Sequence, residues 1–111
     1  GATRFLRLSN ELIETRTFCV EAAGATDRCI SYAGQVQDWG VRDGRLYVLD
    51  AWKGEVLEGN YASRDNALRP ILTGLAKPTS LFVPTDEDPG LYVVDTHLYR
   101  IVPGNTPARR P

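Results

Sequence analysis

A chain of 111 residues fits one small domain, and at that size folding hides only about 60–70% of the surface the unfolded chain exposes, so the core has little margin. A net charge of −1 argues against nucleic acid as the main partner, and a hydrophobic fraction of 42% is that of an ordinary globular protein. No run approaches the roughly 20 apolar residues of a membrane span.

Thr3 to Leu8 reads as a strand and Ser9-Asn10 as a turn. Leu12 to Val20 follows as a longer strand. It sets Ile13, Thr15, Thr17 and Cys19 on one face and Glu14, Arg16, Phe18 and Val20 on the other. Arg28 to Ala33 completes this unit. Cys19 and Cys29 are the only cysteines, and a turn-like Ala-Ala-Gly-Ala-Thr-Asp stretch lies between them. Two strands joined by such a turn bring their Cα atoms within the 4.4–6.8 Å or so that a disulfide needs. The expectation is a bond that stabilises the fold by roughly 2–3 kcal/mol, the alternative being two buried thiols. A disulfide implies an oxidising, extracytoplasmic compartment, periplasmic or secreted. The start at Gly1 and the lack of Met fit removal of an N-terminal segment.

An internal repeat follows. Leu46-Tyr47-Val48-Leu49-Asp50 recurs 45 residues on as Leu91-Tyr92-Val93-Val94-Asp95. Each copy is followed by a further strand, Gly54 to Leu57 and His97 to Val102. Each is preceded by Trp39-Gly40-Val41 or Leu81-Phe82-Val83. Further upstream, Arg28 to Gly34 parallels Arg69 to Leu75. Each repeat therefore reads as four short strands separated by turns at Asp43-Gly44, Lys53-Gly54, Asp88-Pro89-Gly90 and Pro103-Gly104. About ten strands are expected, with Ala62 to Leu68 as a loop.

Lys77-Pro78-Thr79-Ser80-Leu81-Phe82-Val83, then Gly90-Leu91-Tyr92-Val93-Val94-Asp95-Thr96 and Tyr99-Arg100-Ile101, resembles an NHL-type β-propeller repeat. The resemblance covers 76–102 well and 34–57 more loosely. It implies antiparallel four-stranded blades: a partial blade with the Cys hairpin over 1–33, blades over 34–75 and 76–102, and a Pro/Arg-rich tail over 103–111. It also implies proteins, sugars or RNA as the partners usual in that family, with enzymes a minority. A ring needs about four to eight blades, so this chain makes an incomplete one. Copies of the chain could complete it, or a different chain could. Otherwise the strands form a compact β-sandwich or small barrel.

No catalytic set is expected. Asp50 and Asp95 end the repeated strands and read as turn residues that accept backbone N–H groups, with a rim ligand or Ca²⁺ as the functional alternative. His97 is the only histidine, too few for a typical zinc site, and reads as a surface or interface residue. Asp86-Glu87-Asp88 lacks EF-hand spacing and reads as a solvated turn rather than a Ca²⁺ site. Neither a Gly-x-Ser-x-Gly elbow nor a Gly-rich phosphate loop occurs. Trp39 aligns with Leu81 and reads as core. Trp52 falls in a turn, where it could stack on a sugar or anchor a protein. Arg109 and Arg110 are the anchors if the tail lies across a partner. The expected function is a non-catalytic structural or protein-interaction subunit without a cofactor, docking on a larger assembly or on copies of itself. The alternatives are a carbohydrate-binding module and an enzyme whose site forms at an oligomer interface.

Overall fold

The computed structural model describes residues 4–8, 11–20, 28–63, 65 and 67–103, and within them the chain is all-β. Ten strands form three antiparallel sheets in which sequence neighbours pair. β1 (Arg4–Leu8), β2 (Glu11–Val20) and β3 (Arg28–Gly34) make the first sheet. The middle sheet holds β4 (Val36–Arg42), β5 (Arg45–Asp50), β6 (Glu55–Asn60) and β7 (Leu68–Leu72). β8 (Pro78–Phe82), β9 (Leu91–Asp95) and β10 (His97–Ile101) make the third.

Local chemistry sets the hairpins. Asp43 and Gly44 both take positive φ, 53° and 75°, between the paired Arg42 and Arg45. That is the two-residue turn whose twist matches the flanking strands, and Asp-Gly is one of the few dipeptides that tolerates it. In the first sheet Cys19 lies directly opposite Cys29, with Cα atoms 4.1 Å apart and a disulfide between them. The expected turns at Ser9-Asn10 and between the cysteines lie outside the described residues.

The middle sheet is covered on both sides. Along β5, alternate side chains point to opposite faces. Leu46 and Val48 join Phe18, Ile30 and Tyr61 in one cluster against the first sheet. Tyr47 and Leu49 join Val56, Leu81, Leu91 and Val93 in another against the third. Leu46 through Asp50 are all buried for this reason. Each fully buried Leu or Val contributes about 1.5–3 kcal/mol.

Two expectations are corrected. Trp39 is not core: it is 43% exposed, and its ring rests against Phe18 at a centroid distance of 4.9 Å. Among the described residues the third sheet has three strands, not four. Hydrogen bonding places β3 and β7 with the strands that precede them, within the bounds 1–33 and 34–75; the upstream match of Arg28 to Gly34 with Arg69 to Leu75 therefore relates the last strands of two sheets. Within its sheet, β10 is therefore the counterpart of β6 without a β7 beside it.

The two copies of the repeat match in finer detail. β4 carries a register shift between Val36 and Asp38, and β8 one between Pro78 and Ser80. These positions correspond when Leu46 is aligned with Leu91. β8 lies across β4 and β5, and its neighbour Val83 fills the space over Gly40. A Cβ at Gly40 would stand 2.6 Å from Val83 Cγ2. Gly40→Ala is therefore expected to cost about 1–3 kcal/mol by overpacking. Adding Val83→Ala should recover most of that loss. Urea melts of the single and double variants measure both effects.

Candidate functional site

Asp50 is fully buried, and Asp95 is 6% exposed. The Asp50 carboxylate accepts the N–H groups of Trp52 and Lys53 at 2.9 Å each, the Tyr32 hydroxyl, and the Gln35 N–H at 3.4 Å. Asp95 accepts the N–H of Ala76 at 3.0 Å and that of Lys77. Both carboxylates thus hold the segment that enters the first strand of their own sheet. Burial and the neighbouring Asp50 carboxylate push the Tyr32 hydroxyl above its ordinary range. Asp50 takes the turn-residue role expected of it, with the N–H groups of Trp52 and Lys53 in the following turn. Asp95 does not: its donors lie in the segment that precedes β8, not in the loop after β9.

Arg42 fixes the long loop between β8 and β9. Its guanidinium donates to the carbonyls of Pro84, Asp88, Pro89 and Gly90 at 2.8–3.2 Å. The planar fork of five N–H donors suits a curved row of carbonyls. Asp88 is bound from the other side. It accepts the Tyr92 hydroxyl, the Arg100 guanidinium at 2.8 Å and the Gly90 N–H at 2.8 Å. Its carboxyl is held well below the usual range by the Tyr92 hydroxyl first, then by Arg100 and the Gly90 N–H. The same pairing raises Arg100 above its ordinary value.

This loop frames the candidate site, which is the free face of the third sheet. The face of β9 opposite Leu91 and Val93 carries Tyr92 and Val94. Across the ladder lie Phe82, paired with Tyr92, and Leu98, paired with Val94. Phe82 is 63% exposed and Leu98 65%. Phe82 and Tyr92 lie with ring centroids 6.2 Å apart. Together with Leu98 they floor a groove of about 540 Å³, rimmed by Pro84, Thr85, Asp86 and Asp88. Contiguous exposed apolar surface of this kind marks interaction sites in soluble proteins.

At the opposite end of the stack, the outer face of β2 and β3 carries Ile13, Thr15 and Ala33, Thr17 and Ser31 hydrogen-bonded to each other at 2.9 Å, and the exposed Cys19–Cys29 bridge.

Of the residues singled out in the sequence, Trp52 is 50% exposed in the β5–β6 turn and lies away from this groove. His97 is exposed at the start of β10, with its ring edge toward Tyr99. Asp86 lies on the groove rim, and Asp88 is committed to Tyr92 and Arg100. Among the described residues no group of three or more His, Cys, Asp or Glu could hold a metal ion. Arg109 and Arg110 lie outside the described residues. Phe82, Val94 and Leu98 were not recognised as surface residues. Apolar residues on both faces of a strand signal burial, and nothing local distinguishes a face that has a neighbour from one that lacks it.

Comparison with protein-family models, with curated proteins and with solved structures gave no match. Among the described residues no helix is long and apolar enough to cross a membrane.

Asp50→Ala should cost about 3 kcal/mol or more, since each buried donor left without an acceptor costs about 1–3 kcal/mol. Asp50→Asn keeps one carbonyl acceptor and should cost less; chemical denaturation measures both. The depressed Asp88 carboxyl contributes stability that is fully present above the ordinary Asp value of about 4 and is lost as pH falls through its lower folded value. Amide resonances of 84–90 should therefore stay native at pH 4 and shift only well below it. Tyr92→Phe should move that midpoint up toward 4.

Proposed function

We propose that the chain is a non-catalytic, propeller-type interaction module that docks on a larger assembly through the free face of its third sheet. The observation that carries this reading is the equivalence of two faces. With the repeats aligned, Tyr47, Leu49 and Val56 of the middle sheet correspond to Tyr92, Val94 and Leu98 of the third. The first three are buried under a neighbouring sheet. Among the described residues no sheet covers their counterparts. The recurring register shift and the recurring aspartate support blade-type repeats of the NHL kind, stacked side by side as in an unclosed ring. The exposed disulfide supports an extracytoplasmic location, where such a bond persists.

Photo-crosslinking in the native cell tests the docking reading. A photoreactive residue at position 98 should give one adduct of discrete mass, and one at position 17 on the outer face of the first sheet should give none. Adducts at 17 alone, or at neither position, would remove this reading.

A further inference from the structure

We propose that the cleft between the middle sheet and the β8–β9 loop is a binding site for a guanidinium, held by the Glu58 carboxylate. This site does not depend on what covers the third sheet. The cleft has a volume of about 300 Å³. Arg45, Tyr47 and Glu58 form its wall on the middle sheet, and Asp86 and Glu87 line it from the loop.

Glu58 stands between Tyr47 of β5 and Arg69 of β7 in the strand ladders. Its side chain is 18% exposed, and Oε2 is fully buried with no hydrogen-bond partner among the described residues. A buried carboxylate oxygen is costly unless a donor reaches it. None of the neighbouring guanidiniums supplies one. Arg45 Nη1 stands 3.8 Å from Oε1, beyond hydrogen-bond range. Arg69 turns to Asp65 at 3.7 Å. Arg42 is spent on four carbonyls of the loop. Tyr47 brings no charge: burial first, and then the Glu58 carboxylate, push its hydroxyl up to about 12. The complement to Oε2 is therefore a positively charged donor.

Carboxylates outnumber guanidiniums around the cleft, so it favours a cation. They are too dispersed for a metal: among the described residues no group of three or more His, Cys, Asp or Glu could hold one. A guanidinium is a planar fork of five N–H donors that bonds a carboxylate with two at once. It is also weakly hydrated, which suits a half-buried site. One edge of the fork then meets Glu58, and the remaining donors are turned to the exposed carboxylates of Asp86 and Glu87. This one chemistry has two sources. Pro103 also lines the cleft, and the sequence beyond it carries Arg109 and Arg110. A ligand from solution brings the same group.

The test titrates the full chain with N-acetyl-L-arginine amide and follows its amide resonances. Those of Tyr47, Glu58, Asp86 and Glu87 should shift together and saturate. Glu58→Gln should weaken binding about ten-fold or more, with the rest of the spectrum showing that the fold is kept. Asp86→Asn, an exposed change that leaves both cores alone, should weaken it several-fold. Tetramethylammonium has the same charge without N–H donors and should not bind. Replacing both tail arginines, Arg109→Gln with Arg110→Gln, separates the sources. Tighter binding of the probe in that chain makes the protein's own guanidiniums the occupant, and unchanged binding makes it a ligand from solution; either result supports the site. No saturable shift in either chain overturns the proposal. So does binding by Glu58→Gln as tight as by the parent, or binding of tetramethylammonium as tight as of the arginine amide.

Discussion

Burial of β5 on both faces is the constraint from which the rest of the arrangement follows. A strand at the surface of a stack can alternate apolar and polar residues, but a strand with a sheet on either side cannot. Leu46 to Leu49 are apolar without a break, and their two sets of side chains organise separate clusters. The first and third sheets do not need to touch each other. Each needs only to match one face of the middle sheet. A 111-residue chain therefore builds two thin cores rather than one thick one.

The polar groups at the ends of the strands complement this layering. A buried carboxylate is costly unless its acceptor sites are filled. Asp50 and Asp95 meet that condition with backbone donors, and in doing so each fixes the segment that leads into the first strand of its own sheet. Arg42 works across layers. From the end of β4 it gathers four carbonyls of the loop that borders the third sheet. The groove rim is thus held by a residue of the neighbouring sheet, so the shape of the candidate site depends on correct stacking.

Much of this was legible in the sequence, and the limits have physical causes. The repeated Leu-Tyr-Val-x-Asp strands, the Asp-Gly turn and the opposed cysteines are local signals, and each appears where its chemistry requires. Strand grouping is not local. Arg28 to Gly34 resembles Arg69 to Leu75, which by itself fits either grouping; the bounds 1–33 and 34–75 put each at the end of its unit, and the β2–β3 and β6–β7 ladders agree. Trp39 shows a second limit. Its aligned partner Leu81 is buried at 6% exposure, yet the indole is too large to enter the same space fully and lies over Phe18 with its outer face in water. Position in a repeat transmits direction, not depth. The groove was hidden for a third reason: Phe82, Tyr92 and Leu98 have the composition of core, yet among the described residues no sheet lies over that face.

The docking proposed for the third sheet would give the protein a polarity. Units that adhere head to tail without closing a circle polymerise into open fibres. With an occupant on the third sheet, the face bearing the Cys19–Cys29 bridge would point outward from the joint. Whether another unit can add at that face then separates a capped pair from a growing fibre.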